Sequence, residues 1–370
     1  MLRIALLSSR ATPVHSMRRL PLRRTVFAAL AFSSAACARP SATASTPAAT
    51  PASGAVRVQD VRTALFDLAA DSMQGRRTGT EGGMRAAVYL SGRLRAMGVE
   101  PAGDMGYYQV VPIEVDSADP AGRRLRLTTM DALARLPAGR ARQAYNVVAR
   151  IPGSDPALAS EAVIVGAHYD HLGIGRAENG DSIYNGADDD ASGTVAVLEI
   201  ARALRARPAR RTVILFFATG EEVGMLGTRW YLQHPVVPIE QTAAGLFVEM
   251  IGRPDSLAGG PGRGWLTGFD RSTVGASLAA AGVPLVPDPR PAQNFFERSD
   301  NTPFARVGVP AHVISSFNLH TDYHHAGDEA GRIDYPHVAA LTQAAITAVR
   351  TLADGPRPQW NPGGRPAAPR

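Results

Sequence analysis

Three stretches of the chain read as unbroken apolar runs: "EAVIVGAHYD" (161–170), "RTVILFFATG" (211–220) and "AAGLFVEMIG" (243–252). A strand with one wet face alternates apolar and polar residues; a continuous run has to be covered on both faces. Between the first two lies "SGTVAVLEIARALRA" (192–206), whose apolar residues recur at helical spacing. Buried strands alternating with amphipathic helices predict an α/β fold, a mostly parallel central sheet with helices on both faces. "YNVVARIPG" and "VPAHVIS" supply further strands. "VRVQDVRTALFDLAADSMQG", "GTEGGMRAAVYLSGRLRAMGVE" (stopping at Gly98), "GMLGTRWYLQ" and residues 335–353 supply helices. The polar, Arg-rich segment 115–143 is long enough for a loop or hairpin but not for an inserted domain. One catalytic-size domain over 57–353 accounts for the pattern, and the tail 354–370, rich in Pro and Gly, reads as disordered.

Net charge is +6, but its distribution excludes a polyanion partner. Arg3, Arg10, Arg18, Arg19, Arg23, Arg24 and Arg39 all precede residue 57, and no acidic residue does. Removing those 7 from 39 basic residues leaves 32 against 33 acidic ones, so the body is near neutral and no nucleic-acid footprint remains. The basic residues belong to an export signal over 1–37, in which arginines precede an apolar run of 11 residues, Val26 to Ala36. That run is too short to span a bilayer as a mature helix. "SAAC" resembles a bacterial lipobox with Ser34 where leucine is usual, while "ACA" also fits ordinary signal cleavage. The expectation is an exported protein, periplasmic, secreted, or held at the membrane by a lipid on Cys37, with a flexible linker over 38–56. Cys37 is the only cysteine, so the body holds no internal disulfide.

The chain contains no lysine, which excludes Walker A, Schiff-base and pyridoxal-phosphate chemistry. Carboxylate and histidine chemistry remains, and it gathers where the predicted strands end. His168 and Asp170 close the first run, Glu221 and Glu222 the second, and Glu249 the third. "GADDDASGT" (186–194) follows the first, and His320, His324 and His325 follow "AHVIS". In open parallel sheets, sites form outside the carboxyl ends of the strands. His-x-Asp puts His168 and Asp170 on one side of an extended segment, where the Asp170 carboxylate can accept the second imidazole N–H. So many carboxylates without a lysine imply bound cations. His171 and His320 read as hydrogen-bonded structural residues. His15, His234, His312 and His337 have no partner in sequence, and Asp300 reads as a helix cap or a residue near the site.

"GAHYDHLG", "NGADDDASG", "TGEEVGMLGT", "EMIGR" and "DYHHAGDE" resemble, in order, the five blocks of the co-catalytic di-zinc aminopeptidases, metallopeptidase family twenty-eight. The likeness covers residues 162–334 and, with the lead-in "LAADSMQGRRTGTEGG", about 57–353. It implies two zinc ions, with His168, Asp189, Glu222, Glu249 and His324 as ligands, Asp189 bridging, and Glu221 as general base. It implies supporting roles for Asp170 behind His168 and for Asp190 at the following helix, with Asp188 away from the metals and a cis peptide between Asp189 and Asp190. The chain departs from the pattern at Glu249, where most relatives have aspartate, and "YHHAG" leaves both His324 and His325 open as the last ligand. The implied activity is removal of N-terminal residues from peptide substrates. A carboxypeptidase, a one-zinc glutaminyl cyclase and a non-catalytic receptor module are the alternatives. The related family with an inserted dimerisation domain is excluded, because only 74 residues separate Glu249 from His324.

Cys37→Ser is expected to move the protein from the membrane to the soluble exported fraction on cell fractionation. A wild-type protein recovered entirely soluble would rule out the lipid anchor and leave export standing.

Overall fold

A computed structural model of the chain describes residues 55–119, 122 and 124–367. The signal segment, Cys37 and the linker up to residue 54 lie outside them. The described residues form twelve strands and eight helices in chain order. They are α1 (Val58–Leu68), α2 (Glu81–Ala96), β1 (Glu100–Pro101), β2 (Tyr108–Val115), β3 (Leu125–Leu127), α3 (Met130–Leu133), β4 (Ala141–Ile151) and β5 (Ala162–His168). Next come β6 (Gly173–Glu178), β7 (Asp181–Tyr184), α4 (Gly193–Ala206), β8 (Thr212–Ala218), α5 (Leu226–Gln233), β9 (Thr242–Val248) and β10 (Gly264–Leu266). The chain closes with α6 (Thr273–Ala280), β11 (Leu285–Pro287), α7 (Asn301–Val307), β12 (Ala311–Ser315) and α8 (Tyr335–Asp354).

The main sheet has the order β11-β10-β12-β9-β5-β8-β4-β2-β3, with β1 on β4. Its centre, β12-β9-β5-β8, is parallel, while β4, β2 and β3 extend it antiparallel on one side. Every residue of β5, β8 and β9 is buried. Alternation sends successive residues to two covered faces, so all but the terminal Thr212, Thr242 and His168 are apolar or glycine. Val163, Val165, Val213, Leu215, Phe217, Leu246 and Val248 enter a core shared with α1, α2, α4 and α8. Ile164, Ile214, Phe216 and Phe247 point the other way, into a second core with Tyr231 of α5 and Phe304 of α7. This is the α/β fold with helices on both faces that the apolar runs predict. No helix among the described residues is long and apolar enough to cross a membrane.

Two expectations need correction. The tail is not structureless as far as residue 367. Arg357 bonds the Glu161 carboxylate at 3.0 Å and the Glu240 carbonyl at 2.6 Å, the Trp360 indole donates to the Gly308 carbonyl at 2.9 Å, and Trp360 bridges to Ser272. Proline and glycine keep this segment out of regular elements, but one arginine and one tryptophan anchor it to the body. The first helix also stops earlier than its pattern predicts. After Leu68 the chain turns into a short 3-10 segment, Asp71–Arg76, with Gln74 and Gly75 in the left-handed region. Segment 115–143 is a hairpin-like extension of the sheet carrying the short α3.

That early turn delivers Arg76 into the interior, where it is fully buried. Its guanidinium donates to the carbonyls of Tyr169 (2.7 Å), Leu68 (3.0 Å), Asn185 (2.5 Å) and Gly186 (2.9 Å). Burial pulls its pKa down to about 10 while the charge of Asp328 opposes the shift, so it stays cationic at neutral pH. One side chain thereby ties α1 to the loops that follow β5 and β7. Arg76→Met would orphan several buried carbonyls at about 1–3 kcal/mol each, and a net loss of about 3–4 kcal/mol is expected after relaxation. Urea unfolding measures it; a loss below ~1 kcal/mol would show that Arg76 does not organise these loops.

Candidate metal centre

Parallel strands β5, β8 and β9 end side by side, with His168 opposite Ala218 across the β5–β8 pair. The residues just past those ends, with the loops after β7 and β12, therefore meet in one crevice. His168 ends β5. Its Nδ1 lies 3.1 Å from the backbone carbonyl of Asp170, and Nε2 faces Asp189 Oδ1 at 3.2 Å. The proton on Nδ1 is thus fixed by the Asp170 carbonyl. The carboxylate stands 3.9 Å away, which corrects the expected pairing. The Asp170 carboxylate is instead occupied by the Thr78 hydroxyl (2.7 Å) and the Glu221 N–H (3.2 Å), so it links the lead-in segment to the turn after β8.

The three consecutive aspartates are all buried, and each has a different destination. Asp188 accepts from the Gly252 N–H at 2.5 Å, from the Ser192 hydroxyl at 3.2 Å and, through Oδ2, faces His320 Nε2 at 3.0 Å. Asp190 accepts from the N–H groups of Gly193 and Met250, both at 3.0 Å, joining the start of α4 to the segment after β9. Gly193 permits this approach, since a Cβ there would overlap the Val248 carbonyl and the Asp190 carboxylate. Asp189 alone turns into the crevice. Its Oδ1 faces His168, and its Oδ2 lies 3.1 Å from His324 Nε2. The Asp189–Asp190 peptide is cis.

Glu222 completes the far side: Oε2 is 3.2 Å from His324 Nε2, and Oε1 is 2.7 Å from His171 Nδ1. His324 holds a left-handed φ of 59° and stacks on Tyr323 with centroids 3.9 Å apart. His325 points away, to Glu178 at 3.0 Å, so the structure brings His324 and not His325 to the cluster. Glu249 follows β9 and converges with His168 and Asp189. The ligand atoms of these three, and separately those of His171, Asp189 and Glu222, lie within 4.8 Å of one another.

Burial and charge act differently on these groups. Burial opposes ionisation of Asp189, but His168 and His324 outweigh it and hold the carboxyl well below the usual range. Burial lowers the affinity of His324 for its proton, yet Asp189 and Glu222 raise its pKa to about 10. Burial pushes Glu249 up to about 7, against the pull of His168, and pushes Glu221 and Asp190 well up. Among the described residues His168 Nε2, both nitrogens of His171 and Glu222 Oε1 are buried without a hydrogen-bond partner. Buried polar atoms are normally satisfied. Unpartnered imidazole nitrogens and carboxylate oxygens converging on shared points fit divalent cations with a preference for N and O donors. Asp189 is common to both sets.

Sequence reading overlooks three contributors. Asp328 is buried and accepts from the Asp188 and Asp189 N–H groups at 3.0 Å, holding the loop that carries Asp189. Only the acidic "GDE" after the histidines hinted at it. Arg76 braces the same loop from behind through Asn185 and Gly186. His171, expected to be a hydrogen-bonded structural residue, sits instead against Glu222. Asp300 takes the Thr228 hydroxyl at 2.6 Å.

Above the cluster opens a cavity of about 290 Å³. Asp189, Glu221, Glu222, Glu249 and His324 form its floor, and Trp265, Phe295, Phe317, Val313 and Met250 form an apolar wall. Trp265 stacks on Phe295 at 5.1 Å and Phe317 meets Phe295 edge-on at 5.9 Å, so the wall is built of packed rings.

The comparisons with known proteins agree with this architecture. Over 241 residues the chain is 28% identical to a protein of Aspergillus oryzae named "probable leucine aminopeptidase 2", covering 58% of this chain and 45% of that one. A "probable leucine aminopeptidase" of Arthroderma otae is 28% identical over 232 residues, 57% of this chain and 58% of that one. The chain spans about half the length of the curated relatives it matches. Among solved structures, an aminopeptidase from Aneurinibacillus sp. strain AM-1 shares the fold with a TM-score of 0.58 at 17% identity, over 81% of this chain and 95% of that one. A zinc aminopeptidase from Bacillus subtilis has the same TM-score at 13% identity, over 81% and 96%. The sequence model of peptidase family M28 matches residues 146–349, which hold every residue of the cluster, and with that match over more than half its length the chain belongs to peptidase family M28.

Proposed function

We propose that the protein is a zinc-dependent aminopeptidase that removes N-terminal residues from peptides. The observation that carries this reading is Asp189, which offers one carboxylate oxygen to the His168 side and the other to the His324 side of one crevice. His168, Asp189 and Glu249 would hold one zinc ion; Asp189, Glu222 and His324 would hold the second. Zinc ions there would supply Lewis acidity and make a water molecule acidic enough to attack near neutral pH.

The remaining work falls to the chain's own residues. Glu221 follows the turn after β8, with its backbone fixed on Asp170, and lines the cavity without belonging to either ligand set. It would take the proton of the attacking water and return it to the leaving amine. The upward push of burial on its carboxyl suits a group that must hold that proton between the two steps. The aminopeptidase names of the relatives support a substrate bearing a free α-amine. The wall of Trp265, Phe295 and Phe317 suits an apolar first side chain. Names of relatives as leucine aminopeptidases support the same reading. Peptides are then the partner, and the lipid on Cys37 the proposed link to a membrane.

The test is release of free amino acid from a panel of short peptides, with and without chelator. Glu221→Gln is expected to lower turnover by at least about 10²-fold with zinc content unchanged. N-acetylating a good substrate is expected to abolish cleavage. Equal rates on the blocked peptide would point to a carboxypeptidase or endopeptidase, and loss of zinc from Glu221→Gln would make Glu221 a ligand.

A further inference from the structure

His171 lies three residues beyond His168, in the turn that follows β5, and its side chain is wholly inaccessible to solvent. Neither ring nitrogen has a hydrogen-bond partner among the described residues. A buried imidazole held only for structure normally donates from one nitrogen or accepts at the other. His171 does neither, although Nδ1 is 2.7 Å from Glu222 Oε1. That oxygen is unpartnered too, so the two atoms sit close without the alignment of a hydrogen bond. Asp189 Oδ2 lies 3.9 Å from the same nitrogen. From the other side His324 Nε2 approaches both carboxylates, at 3.1 Å and 3.2 Å, and the two rings meet edge-on with centroids 5.7 Å apart. The ring has no room to swing aside. Gly186, with φ of 54°, lies against it, and a Cβ at that position would overlap the imidazole.

We infer that His171 is a fourth protein ligand of the Glu222-side metal, which makes the two metal positions unequal. This rests on the reading that the crevice binds metal. Two imidazoles and two carboxylates fill a tetrahedral zinc, and three protein ligands leave a position open. The Glu222 side, with His171, His324, Asp189 and Glu222, is then a closed and tightly held site. The His168 side, with His168, Asp189 and Glu249, has three ligands and keeps an open position. The ions load in order, the Glu222 side first, with affinities at least tenfold apart.

The test uses metal-depleted full-length protein titrated with zinc against a chromophoric chelator, and separately with cobalt(II) followed by visible absorption. Wild type is expected to show two classes of site, with the first cobalt equivalent giving the intense absorption of four-coordinate cobalt. His171→Gln should weaken the tight class at least tenfold and lose that absorption, while His168→Gln should keep the tight class and lose the weak one. Two equal zinc affinities in wild type, a weak first-equivalent cobalt spectrum, or an unchanged tight class in His171→Gln would each overturn the assignment. The wild-type cobalt spectrum decides even where a variant fails to fold. A chain that binds two unequal zinc ions but releases no amino acid would sink the aminopeptidase reading alone. An active chain whose tight class ignores His171→Gln would sink this one alone.

Discussion

Buried negative charge is the constraint on which the rest of this structure depends. Asp170, Asp188, Asp189, Asp190, Asp300 and Asp328 are all buried within one region, with Glu221, Glu222 and Glu249 beside them. A buried carboxylate is tolerated only when hydrogen-bonded, paired or set against a cation. The chain has no lysine, and Arg76 spends its donors on carbonyls. The protein answers with backbone N–H groups wherever a carboxylate can be given them: Gly252 to Asp188, Gly193 and Met250 to Asp190, Glu221 to Asp170, and Asp188 and Asp189 to Asp328. Once these are assigned, Asp189 and Glu222 face imidazoles, and Glu249, bonded by the Ser299 hydroxyl, converges with His168 and Asp189. The charge left over is concentrated where divalent cations would have to offset it.

The fold supplies the positions at little cost because parallel strands end together. His168, the turn to Glu221, and Glu249 come from three adjacent strands whose relative heights are set by backbone register. The loops that bring Asp189 and His324 have no such register, and they are braced individually. Asp328 grips the first from the front and Arg76 from behind, while Arg253 bonds Asp322 at 2.7 Å in the loop before His324. Precision in a site comes from rigid elements or from supporting contacts, and this crevice uses each where the other is missing.

Most of this was legible in the residues for identifiable reasons. Apolar runs specify buried strands because both faces of the sheet are covered, and polar residues just past each run mark the crevice. What could not be read depends on contacts between residues far apart in the chain. Asp328 reaches Asp188 across 140 positions and Arg76 reaches Gly186 across 110, and no local pattern marks either. The tail reads as disordered because its composition is that of a loop, although Trp360 and Arg357 find partners on the body. His171 reads as a hydrogen-bonded structural residue because a histidine in sequence looks the same whether its nitrogens are satisfied or not, and here neither is. Only the three-dimensional inventory of partners separates those cases.

The triple aspartate shows how such inventories decide function. Three adjacent carboxylates in one environment would repel one another and favour protonation. Here the environments differ. Asp188 is held by Gly252, Ser192 and His320, Asp190 by the N–H groups of Gly193 and Met250, and both are thereby withheld from the crevice. Among the described residues no backbone N–H donates to the Asp189 carboxylate, and its two oxygens reach histidines from opposite sides of the crevice. The middle residue is the one left facing both sides of the crevice, because Asp188 and one oxygen of Asp190 are taken by their own donors. Moving the register by one would strip Gly252 or Gly193 of its acceptor as well as turning Asp189 out of the crevice. The helix start, the β9 exit and the carboxylate that faces the crevice are therefore specified together by the same three residues.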